Sequence, residues 1–291
     1  MIVSKHIPFN YIIRSIYIDI FIVTVFSAIA FEIHIYTSFI KMPLSISTFL
    51  GTTISLVLSF NLSHSYDRWW EARKIWGEIV NDSRALVLQL QTFTSNEDEK
   101  IKKIGKYQIA WVNTLSKALR TQDLDNSIEK YLNENEYTTL KKAQHQPLLI
   151  NTLIKEELKL LNSLNDYQKV QIDTTLMRLI SHMGKAERIK NTVFPKEYQL
   201  VLHMSIYFFL GFLSISLANL GHHWEILLLP VIAIPFFLLE KTAKHLQDPF
   251  NNQPTDVAIS SISRTIEINI LSLLNEEEIP KPLEETDFYL N

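Results

Sequence analysis

FNLSHSYDRWWEARKIWGEIVNDSRALVLQLQ, residues 60–91, decides how the rest of the chain is read. It begins as the end of an apolar run and continues, without proline, into a charged, tryptophan-rich segment. Trp69, Ala72, Trp76, Ile79, Ser83, Leu86 and Leu90 recur at steps of three and four, so one helical stripe is apolar. Asp67, Arg68, Glu71, Arg73, Lys74, Glu78, Asp82 and Arg84 fall on the other faces. A single helix that leaves a bilayer and runs on into water has this pattern. Its acids and bases, Asp67 and Glu71 near Arg68 and Lys74, read as salt-bridge partners at helical spacing.

Working outward, the 291 residues have a mean hydropathy near neutral that hides a split. Long apolar runs lie toward both ends, and residues 66–197 are polar. That predicts a membrane protein with a soluble helical insert. Four runs approach or reach the ~20 residues needed to cross a bilayer: 16–40, 44–66, 198–220 and 224–240. The first is too long for a signal peptide and lacks a cleavage site. Pro8 is expected to break any helix before it, leaving residues 1–13 as a short segment on the membrane surface. Lys41-Met42-Pro43 and Gly221-His222-His223 are expected turns, and Pro230 and Pro235 are expected to kink the fourth span.

Within the insert, helices are predicted over 97–120, 126–145, 148–163 and 166–190, with Pro147 ending the second. A further amphipathic helix is predicted over 254–274, followed by an extended acidic tail. No period-two strand pattern is visible, and six glycines in the chain argue against a β architecture. The expected segmentation is 1–66 (N-terminal segment and first two spans), 67–197 (helical insert), 198–246 (last two spans) and 247–291 (C-terminal helix and tail). Four spans put both termini and the insert on one side. Basic residues near the span ends fall almost all on that side, so it is cytoplasmic by the positive-inside rule.

The chemistry of the chain is narrow. A net charge of −3 with no basic arm excludes nucleic acid as a partner. Cysteine is absent, which removes disulfides, thiolate metal sites and a cysteine nucleophile. No HExxH, Walker loop, dinucleotide fingerprint or nucleophile elbow occurs, so no catalytic residue and no cofactor are assigned. His222, His223 and Glu225 are read as wet interfacial residues rather than a metal site. Asp19, Glu32 and His34 interrupt the first span. They either face water at the two interfaces, Asp19 at the inner one, or serve function inside the membrane.

The second span is rich in hydroxyls: Ser45, Ser47, Thr48, Thr52, Thr53, Ser55, Ser59 and Ser63. Helix packing and pore lining both use such residues. Thr52, Leu56 and Phe60, at i, i+4 and i+8, stack on one face. Several copies of this helix around an axis would make one hydroxyl ring and two apolar rings, and apolar constrictions gate by dewetting. An ordinary helix–helix seam gives the same spacing.

SYDRWWEARKIWG (65–77) with VNDSR (80–84), ERIKNTVFP (187–195), LQDPF (246–250) and SRTIEINIL (263–271) together resemble the bestrophin family in its bacterial branch, over nearly the whole chain. The resemblance implies an all-α membrane protein of four transmembrane helices and a cytosolic helical bundle. It implies a homopentamer around a central pore in the bacterial plasma membrane, touching lipid and passing monovalent ions. Chloride is the expected ion, monovalent cations the alternative, and a non-conducting scaffold the reading from another class. The resemblance places the narrow neck on Thr52, Leu56 and Phe60, with Thr52 where the family usually has an apolar residue. It places a cytosolic constriction at Tyr167, and Glu32 is the candidate at the outer mouth. Animal members carry a calcium clasp after the DPF motif. Here DPFNNQPTD (248–256) has Gln253 where an acid is expected, and keeps Asp256, so calcium gating is not expected.

Overall fold

The computed structural model describes residues 1–2, 8–36, 42–95, 97–192, 194–218, 224–284 and 288–290. Lys41 and the whole of Gly221-His222-His223 lie outside them, as do the side chains of His34 and Glu225, so the first expected turn is described only from Met42 onward, and the second turn with its histidine pair is not described. Among the described residues the structure is helical apart from one isolated antiparallel bridge, Ile2 with Tyr289. The helices are α1 (Phe9–Tyr36), α2 (Leu44–Phe93), α3 (Asp98–Leu119), α4 (Asn126–Glu129), α5 (Glu134–Lys142), α6 (Gln146–Lys159), α7 (Asp166–Asn191), α8 (Lys196–Ala218), α9 (Glu225–Gln247) and α10 (Ile259–Leu273). Four of them, α1, α2, α8 and α9, are long and apolar enough to cross a membrane.

The chain divides into two compact units. One holds Ser4–Arg68 and Val193–Gln247, and the other holds Met1–Val3, Trp69–Thr192 and Asp248–Asn291. The division falls within α2, which is one uninterrupted helix of 50 residues, about 75 Å long at 1.5 Å per residue.

In the membrane unit α1 packs on α8 and α9, and α8 on α9. Val23, Ile54, Leu58, Ile206, Leu210 and Phe237 are buried at its centre. Gly51 lets α2 approach α8 closely: a Cβ there would stand 2.9 Å from Phe209 Cε2. Two expectations are corrected here. Pro8 starts a helix rather than breaking one. Its carbonyl accepts the first turn's bond from Tyr11 N at 2.9 Å, as suits a residue with preset φ and no N–H to lose. And α9 continues through both prolines to Gln247, so Lys241 and Lys244 are helical beyond the expected end of the fourth span at residue 240.

The second unit is built on the apolar stripe of α2. Ala72, Trp76, Ile79, Ser83, Leu86 and Leu90 are fully buried, as the periodicity predicts. They meet the predicted face of α3, where Ile104, Gln108, Trp111 and Leu115 are also fully buried. The two polar members of these stripes pair with each other: Gln108 Nε2 donates to Ser83 Oγ at 2.9 Å. The helix predicted over 126–145 is instead two. Asn133 and Glu136 form a capping box that restarts the chain at Glu134. Pro147 does not end a helix; it lies in the first turn of α6. The tail returns to the N-terminus, where Leu290 N donates to Met1 O at 2.9 Å. Both ends of the chain therefore belong to the same unit as the insert.

Candidate functional site

The first half of α2 has two different faces. Ile54 and Leu58 are buried in the membrane unit's core, whereas Thr52, Leu56 and Phe60 are exposed, the latter two at 57% each. Four of the span's hydroxyls are used locally. Thr48, Thr52, Thr53 and Ser55 donate to the carbonyls of Leu44, Thr48, Phe49 and Gly51, each four residues back. Ser47 is the packing hydroxyl: it is buried and lies 2.9 Å from Ser216 Oγ on α8. For Thr52 the consequence is directional. Its hydrogen goes to Thr48 O at 2.9 Å, so its oxygen lone pairs are what remain to face outward.

Asp19 departs from the interfacial reading. It is 6% exposed, and the Tyr207 hydroxyl donates to its Oδ1 at 2.8 Å. Lys241 Nζ lies 3.3 Å from Oδ2. His203 Nδ1 is 2.9 Å from Glu240 Oε1, and its Nε2 is 4.0 Å from Asp19. One residue of α1, two of α8 and two of α9 thus make a polar tie inside a largely apolar unit. A buried charge needs such partners. Sequence reading passed over His203, although an ionisable residue in an apolar run was its signal, and it placed Glu240 at the span's end.

In the other unit, stretches far apart in sequence interlock. Arg188 of ERIKNTVFP pairs with Glu71 of the tryptophan-rich stretch at 2.9 Å. Lys190 pairs with Asp248 of LQDPF at 2.8 Å. Arg84 Nε donates to Asn269 Oδ1 of SRTIEINIL at 3.1 Å, and Trp69 Nε1 donates to Thr255 O at 3.0 Å. Arg178 grips Asp82 with two nitrogens, at 2.8 and 3.0 Å, and this pairing raises the guanidinium's pKa above its ordinary value. Three acids of α2, Glu71, Glu78 and Asp82, are salt-bridged to α7 across the unit rather than along their own helix.

The loop after LQDPF is held by its own acids. Asp248 Oδ1 accepts from Phe250 N at 3.2 Å, and Asp256 Oδ2 accepts from Gln253 N at 3.0 Å. Asp256 is 1% exposed, and burial pushes its carboxyl up to about 6. Asn252 adopts a left-handed φ of 62° in this turn. Among the described residues no group of three or more His, Cys, Asp or Glu side chains is arranged to hold a metal ion.

Comparison with known proteins decides the family. The model of the Bacterial/Fungal Bestrophin protein family matches residues 7–272. The chain belongs to the bestrophin family. Among similar relatives of this bestrophin is the voltage-dependent anion channel-forming protein YneE of Escherichia coli K12. It is 28% identical over 257 residues, which cover 87% of this chain and 84% of the relative. The voltage-dependent anion channel-forming protein RSc3414 of Ralstonia nicotianae is 25% identical over 271 residues, covering 89% and 87%. Among solved structures, a bacterial Bestrophin homolog from Klebsiella pneumoniae superposes with a TM-score of 0.86 at 26% identity. It covers 90% of this chain and all of that one.

The two remaining pore candidates are exposed. Tyr167, in the first turn of α7, is 89% exposed, and Glu32 is exposed near the end of α1.

Proposed function

We propose that this bestrophin forms an anion-conducting channel in the bacterial plasma membrane, as a homopentamer whose copies of α2 surround a central pore. The observation that carries the reading is the unpartnered face of α2: Leu56 and Phe60 are more than half exposed on a helix whose opposite residues are buried. Thr52, Leu56 and Phe60 form the neck, Glu32 lies at the outer mouth, and Tyr167 is assigned to the cytosolic constriction. The names of the YneE and RSc3414 relatives, which describe anion channel-forming proteins and not enzymes, support it. A large, weakly hydrated anion passes an apolar neck at a lower dehydration cost than a small cation. The termini and the insert are cytoplasmic in this reading, which the basic residues at the span ends support.

One observation favours monovalent cations instead. The Thr52 hydroxyl hydrogen is committed to Thr48 O, so a ring of Thr52 would offer oxygen lone pairs to an ion. Flux from chloride-loaded liposomes containing the purified protein tests the proposal. Chloride release that is faster in Leu56→Ala/Phe60→Ala supports it. Absence of any ion flux from folded protein would leave the scaffold reading.

A further inference from the structure

A cavity of about 440 Å³ opens in the membrane unit, between the first turns of α8 and the last turns of α9. Its floor is polar and fixed. Gln199 Nε2 donates to Gln247 Oε1, and Gln247 Nε2 lies 3.3 Å from both Asn61 Oδ1 and Ser65 Oγ. Its walls carry Lys196, Lys241 and Lys244. The acid on the wall, Glu240, is taken by His203, and Lys241 is held by Asp19. Lys196 and Lys244 are exposed and make no ion pair among the described residues, so two cationic heads are left unpaired over the cavity.

The surroundings specify what these lysines would meet. Lys196 is the first residue of α8 and Lys244 lies in the last turn of α9, so both sit where candidate spans end, at headgroup depth. Leu200 lines the cavity. Met204 and Phe208 follow it at four-residue steps, and all three are exposed. They make an apolar track that leaves the cavity and runs about 12 Å along α8. A charged pocket that continues into an apolar track matches an amphiphile with an anionic head.

We propose that this cavity binds the phosphate headgroup of an anionic phospholipid, with Lys196 and Lys244 on the phosphate and an acyl chain along Leu200, Met204 and Phe208. The site depends on α8 and α9 crossing the bilayer and not on ion conduction, so it stands or falls separately from the channel reading. Bacterial membranes supply such lipids, and lysines near a membrane surface each strengthen binding to them.

Native mass spectrometry of the full-length protein, titrated with short-chain phosphatidylglycerol or phosphatidylcholine, tests this. Phosphatidylglycerol is expected to bind in preference. Lys196→Gln/Lys244→Gln is expected to weaken it roughly twenty-five-fold, at about fivefold per lysine. Lys142→Gln/Lys159→Gln, which removes the same charge from the other unit, is expected to leave binding unchanged. Lys196→Arg/Lys244→Arg keeps the charge and is expected to retain binding, which separates loss of the site from loss of folding. Equal binding by wild type and the glutamine variant, or no preference between lipids, would overturn the proposal. So would displacement by equimolar inorganic phosphate, which would make the site one for soluble anions, and so would a face closed to lipid by a second copy of the chain.

Discussion

The Tyr207 hydroxyl of α8 donates to Asp19 of α1 at 2.8 Å, and this bond fixes one side of a carboxylate that Lys241 of α9 neutralises from the other. The pair is asymmetric. Asp19 has 9% of its side chain exposed and Lys241 28%, so the lysine has a route to water that the acid lacks.

That asymmetry sets a mutational order. Lys241→Met leaves a buried carboxylate without its cation and is expected to cost about 3–5 kcal/mol. Asp19→Asn keeps an acceptor for Tyr207 and frees a lysine that can reach water, so it is expected to cost less. The double variant Asp19→Asn/Lys241→Met should be more stable than Lys241→Met alone. Melting temperatures of the detergent-purified proteins give the order, and a double variant worse than both singles would contradict the pairing.

Gly51 is required by the approach of α2 to α8. A Cβ would stand 2.9 and 3.1 Å from two atoms of the buried Phe209 ring. Gly51→Val is expected to destabilise by about 1–3 kcal/mol through overpacking. Phe209→Leu in the same chain should recover part of that loss, because it removes the atoms that clash. Additive losses in thermal melts would show that the two residues do not meet.

Asp256 gives a pH signature in the other unit. Burial raises its pKa from 3.8 to about 6, so the folded protein holds this proton more tightly than the unfolded chain. Stability from that proton is fully present below about pH 4 and is lost as pH rises to about 6. A shift of about two units corresponds to about 3 kcal/mol. Asp256→Asn retains an oxygen for the Gln253 N–H and carries no charge. It is expected to melt higher than wild type at pH 7.5, with the gap closing at pH 4.5. A gap that widens on acidification would contradict the assignment.

Calcium is expected to have no effect on the current. Asp248 and Asp256 spend oxygens on backbone N–H groups of their own loop, Asp248 is also paired with Lys190, and Gln253 brings no charge. Calcium sites use several hard oxygens, with carboxylate charge setting their affinity. A current from the purified protein that rises with saturating calcium would overturn this.

Neck substitutions should act on conductance rather than stability, because Leu56 and Phe60 are more than half exposed in the protomer. Leu56→Ala and Phe60→Ala are expected to raise single-channel current with melting temperatures close to wild type. Thr52→Val removes the hydroxyl at nearly constant volume, and is expected to lower any residual cation permeability.

Much of this architecture is legible in the sequence because long amphipathic helices write their packing as a period. The stripe from Ala72 to Leu90 and its partner face on α3 need only three- and four-residue spacing. What was not legible depends on partners distant in sequence. Asp19 reads as a wet interfacial acid until Tyr207 and Lys241, 188 and 222 residues away, come into contact with it. Glu71 has basic neighbours on its own helix, yet its partner is Arg188 on α7. Pro8 and Pro147 read as breakers, because a proline that ends one helix and one that begins the next look alike until capping geometry is known. The face of Thr52, Leu56 and Phe60 is legible as a face, since the three must align, but spacing does not say what occupies the space before it.

The central claim, an anion pathway lined by that face, is tested most directly by the reversal potential of the purified protein in a planar bilayer under a KCl gradient. A reversal near the chloride equilibrium potential is the predicted result. A reversal near the potassium equilibrium potential would contradict it, and would assign selectivity to the oxygen ring of Thr52 and the carboxylate of Glu32.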